Sequence, residues 1–164
     1  MRVVFLTCTL LSCGEVLIPD PVEPVGETNE FPLLRARVDG EVWAAGGMMG
    51  EPSAKAMYGG LNLQITGARY EPRTSSVEQV RLEIVNISDP RTFKLGVLSR
   101  DSGVGYFIKN DSIIYRTQET KVGSVTIELL DRSARRVAGT FEFEAEGDGG
   151  AIVTLREGRF DVRW

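Results

Sequence analysis

From Leu33 onward the hydrophobic and polar positions alternate with a period of two. Leu34, Ala36 and Val38 alternate with Arg35, Arg37 and Asp39. Leu61, Leu63 and Ile65 alternate with Asn62, Gln64 and Thr66. The same rhythm runs through Val80, Leu82 and Ile84, through Val125, Ile127 and Leu129, and through Gly139, Phe141, Phe143 and Ala145. Side chains on a strand point to opposite faces in turn, so this pattern describes strands with one face dry and one face wet. No segment carries a helical period.

Turn chemistry separates these runs. Asp39-Gly40, Glu71-Pro72-Arg73, Ser88-Asp89-Pro90, Asp101-Ser102-Gly103, Asn110-Asp111 and Asp148-Gly149-Gly150 interrupt the alternation, and such residues favour tight turns. Strands are expected at 33–39, 42–45, 61–69, 77–87, 92–98, 104–109, 112–117, 123–130, 136–146 and 151–163. About ten short strands with short links predict an all-β fold, an antiparallel β-sandwich with a partly closed β-barrel as the alternative. Gly46 to Gly60, rich in glycine and methionine, reads as a connection. Its Met48, Met49 and Met57 either form an adaptable loop or fold back over the core, and the second is preferred. Phe160, Val162 and Trp164 share one parity and should face the core together. Trp43 is expected to anchor the core near a sheet end.

The N-terminal part is different material. Arg2 is followed by a mostly apolar run from Val3 to Leu11, ending in Leu10-Leu11-Ser12-Cys13. That run is too short to span a bilayer, which takes ~20 apolar residues. A short basic start, an apolar stretch and a small-residue cleavage site form the pattern of a secretory signal. The ending resembles the lipobox of bacterial lipoproteins. The resemblance implies a signal peptide over 1–12 and a lipidated Cys13 as the new N-terminus. Several acyl chains together give stable anchoring where one is marginal.

Residues 13–31 then form a tether. Pro19, Pro21 and Pro24 are interspersed with Glu15, Asp20, Glu23, Glu27 and Glu30, with no Lys or Arg from Gly14 to Glu30. Spaced prolines favour extended polyproline II at ~3.1 Å per residue, which would hold the domain at 32–164 up to roughly 50 Å from the lipid.

Composition narrows the chemistry. The 164 residues contain no histidine and two cysteines, Cys8 and Cys13, with a net charge of -4. Ser-His-Asp and Cys-His catalysis and imidazole ligation are thereby excluded. An acidic chain lacks the basic footprint of nucleic-acid binders. Glu142, Glu144 and Glu146 form a carboxylate row at a spacing of roughly 7 Å, but their alternation with Phe141 and Phe143 reads as a solvated face. Asp101, Asp111, Asp131 and Asp148 are oxygen donors of the kind calcium uses, though each sits in a turn sequence. Tyr58, Tyr70, Tyr106 and Tyr115 with Trp43 could supply a sugar or peptide platform. No catalytic residue, cofactor or metal ligand is assigned.

Three further segments carry a family resemblance. They are Val38-Asp39-Gly40 with Trp43 and Ala45, Gly123 to Ile127 running on to Gly139-Thr140-Phe141 with Phe143 and Ala145, and Gly158 with Phe160-Asp161-Val162. In that order, behind a lipobox, they resemble the DUF6252-type lipoproteins of Bacteroidota. Val137-Ala138 stands where that family more often has a polar residue. The resemblance implies a β fold over nearly the whole domain and a cell-envelope location, expected at the outer membrane. It implies no catalytic residues. The expected role is a binding or interaction module with a protein or glycan ligand, attached to the membrane by its lipid. A passive structural protein is the alternative, and a carboxylate-based hydrolase stands behind both.

Overall fold

The computed structural model describes residues 33–46, 54–97 and 99–164. Cys13, the tether, Met48 and Met49 lie outside the described residues. Eleven strands follow in chain order. They are β1 (Leu33–Val38), β2 (Glu41–Ala44), β3 (Ala54–Gly59), β4 (Asn62–Glu71), β5 (Ser76–Ile84) and β6 (Thr92–Leu95). They continue with β7 (Ser102–Lys109), β8 (Ile113–Arg116), β9 (Gly123–Asp131), β10 (Arg136–Glu146) and β11 (Ile152–Arg163). A single 3-10 turn at Asp148–Gly150 links the last two.

The ten expected strands all form, with ends shifted by a few residues. The eleventh, β3, lies in the segment read as a connection. Its inward residues are Ala54 and Ala56, both buried, and two alanines flanked by glycines leave almost no hydrophobic signal. Small inward side chains also let this strand sit close to its neighbours. Met57 points outward and is 63% exposed. It does not fold over the core, which corrects the expectation for this methionine.

The strands form one continuous sheet in the order β2-β1-β11-β10-β9-β6-β7-β5-β4-β3, with β8 pairing both β7 and β10. The pairings β7-β8-β10-β9-β6-β7 therefore close a ring of five strands. Two links complete it. β6 runs parallel to β7 through Lys94↔Ser102 and Leu95↔Gly103, and β8 meets β10 at Arg116↔Glu146. Outside the ring, β2, β1 and β11 form one wing and β5, β4 and β3 form the other. The wings pack on each other: the Leu34 side chain occupies the space that a Cβ on Gly67 would need. Gly46 also donates its N–H to the Ala68 carbonyl at 2.9 Å. The architecture is all-β, a closed barrel core extended by sandwich-like wings.

The core fills the ring and the gap between the wings. Trp43, Phe93, Phe107, Phe143 and Phe160 are among its largest fully buried side chains. Phe160 and Val162 are buried, and Trp164 packs against the core with its ring 5.1 Å from Tyr58. Asp39 and Gly40 both have positive φ, 50° and 86°, as a primed two-residue hairpin turn between β1 and β2 requires. At Gly139 a side chain would collide with the Thr126 carbonyl and the Phe160 ring. The β9–β10 register slips beside it, between Ala138 and Gly139, so close approach and a bulge coincide there.

Candidate binding cleft

The outward face of β5, β7 and β8 carries a cross-strand row set by register. Arg81 lies opposite Tyr106, Tyr106 opposite Arg116, and Arg116 opposite Glu146. Side chains directly opposite on neighbouring strands are close enough to interact. The Arg81 guanidinium stands 5.8 Å from the centre of the Tyr106 ring, within cation–π range. It is itself held, donating to Gln79 Oε1 at 2.8 Å and facing Glu83 Oε1 at 3.9 Å. The Tyr106 hydroxyl donates to Glu83 Oε2 at 3.4 Å. Burial, and then the Glu83 carboxylate, raise the pKa of Tyr106 above the ordinary phenol value, while Arg81 and Arg116 pull more weakly the other way. Tyr106 is a neutral donor at physiological pH.

Beside this row lies a cleft of about 1020 Å³, at the upper end of the range that holds small ligands. Val85, Val97 and Val104 contribute apolar surface, and Glu83, Tyr106 and Arg116 come from the sheet. The rim is built by two connections. Ser99 and Arg100 come from between β6 and β7, and Gln118, Glu119 and Thr120 from between β8 and β9. Both are internally braced. Ser102 Oγ donates to the Ser99 carbonyl at 2.8 Å. Gln118 and Lys121 exchange backbone hydrogen bonds of 2.8 and 3.0 Å. Buried Thr117 accepts the Gly105 N–H at 3.1 Å. Bracing of this kind lowers the ordering cost of binding.

The charges in the cleft are unevenly matched. Glu83 has Arg81 beside it. Arg100 and Arg116 have no side-chain ion pair or hydrogen bond among the described residues. A second, smaller groove of about 580 Å³ lies on the outward face of β1, β11 and β10. There Arg37 is paired with Glu157 at 3.1 Å, and Glu142 faces Arg156 at 3.7 Å. Its acids are already engaged by arginines of the same sheet.

The remaining candidates separate in space. Glu142 and Glu144 lie on the outward face of β10 and share Arg156, at 3.7 and 3.3 Å, while Glu146 lies opposite Arg116. Asp101 pairs with Arg91 at 3.3 Å. Asp131 caps the β9–β10 turn by accepting from Ser133 and Ala134. The Ser133 hydroxyl, above all, holds its carboxyl below the ordinary value. Asp111 and Asp148 sit on two other turns, so the four acids do not converge. Among the described residues no three acidic or cysteine side chains form a group able to hold a metal ion.

The aromatic platform divides in the same way. Trp43 is fully buried, Tyr115 packs on Phe107 at 6.3 Å, and Tyr58 lies between Trp164 and Arg132. Tyr70 is exposed at the end of β4, and only Tyr106 of the four tyrosines lines the cleft. Arg100, Arg116 and Glu83 are absent from the candidates read along the chain. What brings them to Tyr106 is strand register and loop placement, and neither leaves a local signal.

Comparison with curated proteins and with solved structures finds no match. The model of the family described as "Domain of unknown function (DUF6252)" matches residues 30–162, a span that covers all the strands described above but for Arg163 at the end of β11. The chain therefore belongs to the DUF6252 family.

Proposed function

We propose that the protein is a lipid-anchored lipoprotein of the cell envelope whose β domain is a binding module working through the Tyr106 cleft. The observation that carries the binding role is the braced cleft lined by Arg100 and Arg116, both exposed and without a side-chain partner among the described residues. Guanidiniums open to solvent and an aromatic edge lining one concavity are the composition of a recognition site. The anchor rests on the Leu10-Leu11-Ser12-Cys13 motif and on the acidic, proline-spaced tether behind it. A passive structural role would leave the cleft without consequence. A carboxylate hydrolase would need two acids in unequal environments, and Glu142 and Glu144 instead share one arginine.

Two measurements test the reading. Cys13→Ala should abolish incorporation of a fatty-acid analogue and release the protein from membranes. Labelling and retention that both survive would remove the anchor. Full-length protein should also co-sediment with isolated envelope glycans, and Arg116→Gln should reduce that binding at least tenfold while the thermal midpoint stays put. Equal binding by the variant would favour the passive role.

A further inference from the structure

We infer that the acidic segment 23–30, which lies outside the described residues, docks back onto the outward face of β1, β11 and β10. Its seat is a patch of four arginines at the point where the chain enters the sheet. Neither the Tyr106 cleft nor the anchor at Cys13 enters into it.

Register builds the patch. Arg35 on β1 lies directly opposite Arg159 on β11, and Arg163 on β11 lies directly opposite Arg136 on β10. Arg159, Asp161 and Arg163 alternate along β11 with buried Phe160 and Val162, so both arginine pairs share the outward face with Asp161 between them. Arg136 donates to Asp161 from Nε at 2.7 Å. Among the described residues of this block, four guanidiniums stand around one carboxylate. Asp131 lies opposite Arg136 on β9 and accepts from Ser133 and Ala134 of its own turn. With Asp131 counted, Arg35, Arg136, Arg159 and Arg163 face two acids, a net charge of two positive. Like charges directly opposite on neighbouring strands are destabilising. Further along the same face the charges balance, Arg37 meeting Glu157 and Arg156 meeting Glu142 and Glu144. The excess belongs to the end at which the chain arrives.

That position names the occupant. The chain enters the sheet at Leu33, whose register partner is Asp161 at the centre of the patch. Glu30 and Glu27 precede Leu33 by three and six residues. At ~3.3 Å per extended residue they lie within roughly 10 and 20 Å of that centre, and neighbouring strands are only ~4.8 Å apart. Gly14 to Glu30 carries five carboxylates and no Lys or Arg. One exposed ion pair is worth little, but covalent attachment raises the effective concentration and lets several carboxylates act together. An anionic lipid surface would have to displace them. Docking of 23–30 leaves residues 14–22 as the free spacer, roughly 30 Å when extended as polyproline II.

A double-mutant cycle on full-length protein in neutral detergent tests the docking, read as the midpoint of urea unfolding. At 20 mM NaCl, the combined changes Glu23→Gln, Glu27→Gln and Glu30→Gln should lower the midpoint by about 0.5 M. In the background of Arg159→Gln with Arg163→Gln, both exposed positions, the same three changes should have at most half that effect. At 500 mM NaCl the loss in the parent should also fall by at least half, because salt screens exposed charges. An equal loss in both backgrounds would overturn the docking, as would a parent midpoint that the three changes leave in place. Soluble dihexanoyl phosphatidylglycerol, set against dihexanoyl phosphatidylcholine, probes the competing occupant. If the phosphatidylglycerol alone raised the midpoint through Arg159 and Arg163 while the three glutamate changes did nothing, the patch would be a lipid-headgroup site and the docked segment would fall.

Discussion

Among the described residues four arginines stand over aromatic rings, and two of these pairs differ sharply in what surrounds them. At one end of the sheet Arg69 stands 5.9 Å from the centre of the Trp43 ring. Trp43 is fully buried, and Arg69 is saturated: it reaches Glu78 at 3.0 Å, Glu71 at 3.5 Å and the Val42 carbonyl at 3.1 Å. Lys109 adds a second cation to Glu78 at 3.7 Å. In the cleft, Arg81 stands 5.8 Å from the centre of the Tyr106 ring, but Tyr106 is only half-buried and the neighbouring, exposed Arg116 has no side-chain partner among the described residues. The first cluster closes on itself and ties β2, β4, β5 and β7 together. The second leaves hydrogen-bonding capacity open to solvent. The same residue types serve cohesion in one place and recognition in the other, and the count of satisfied donors distinguishes them.

That contrast can be broken most sharply at Trp43. Trp43→Ala empties a fully buried site and should cost about 3–5 kcal/mol, read from urea unfolding. A loss below about 1 kcal/mol would mean that the ring is not the anchor its burial implies. Next comes Glu78, 7% exposed with cations on both sides. Glu78→Ala leaves Arg69 with only Glu71 and the Val42 carbonyl and takes the carboxylate from Lys109, and should cost about 3 kcal/mol, the low end for a broken buried pair because both cations keep some solvent. Arg116→Gln, by contrast, should move stability by no more than about 0.5 kcal/mol. Comparable losses at Glu78 and Arg116 would erase the distinction between the two clusters.

The smallest effect concerns Tyr106. Its raised pKa means that the folded protein favours the neutral phenol. The associated stability is fully present below the ordinary phenol value of about 10. It is lost as pH rises through the higher folded value. Ultraviolet titration at 295 nm should show a phenolate component above pH 10 that Tyr106→Phe removes. A variant whose titration curve overlays the parent would refute the buried, Glu83-linked environment.

Much of the fold was legible because one side of most strands is wet. Val80, Leu82 and Ile84 announce β5 since Arg81 and Glu83 between them face out. The carboxylates of β10 were likewise readable as a solvated face from parity alone. β3 escaped because Ala54 and Ala56 bury little area, so the pattern that marks a strand elsewhere is nearly silent there. Ring closure escaped for a different reason. It depends on two residue pairs between β6 and β7 and one between β8 and β10, and periodicity carries no information about partners. The cleft shares that blindness. Tyr106 was a candidate as an aromatic residue, while Arg116 and Glu83 became relevant only once register placed them beside it. Three of the four tyrosines proved to be packing groups or isolated surface residues, which no single-position property could reveal.

The pairing of β1 with β11, from Leu33↔Asp161 to Val38↔Leu155, also bears on when this domain can fold. Its first strand finds its main partner in the last, so Leu34 and Ala36 stay uncovered until nearly all of the chain has been made. Contacts of such high sequence separation slow folding. A chain emerging from the ribosome would lack the main partner of its first strand until β11 had been made. The topology that seals the finished sheet thus also postpones the sealing until β11 is available to pair.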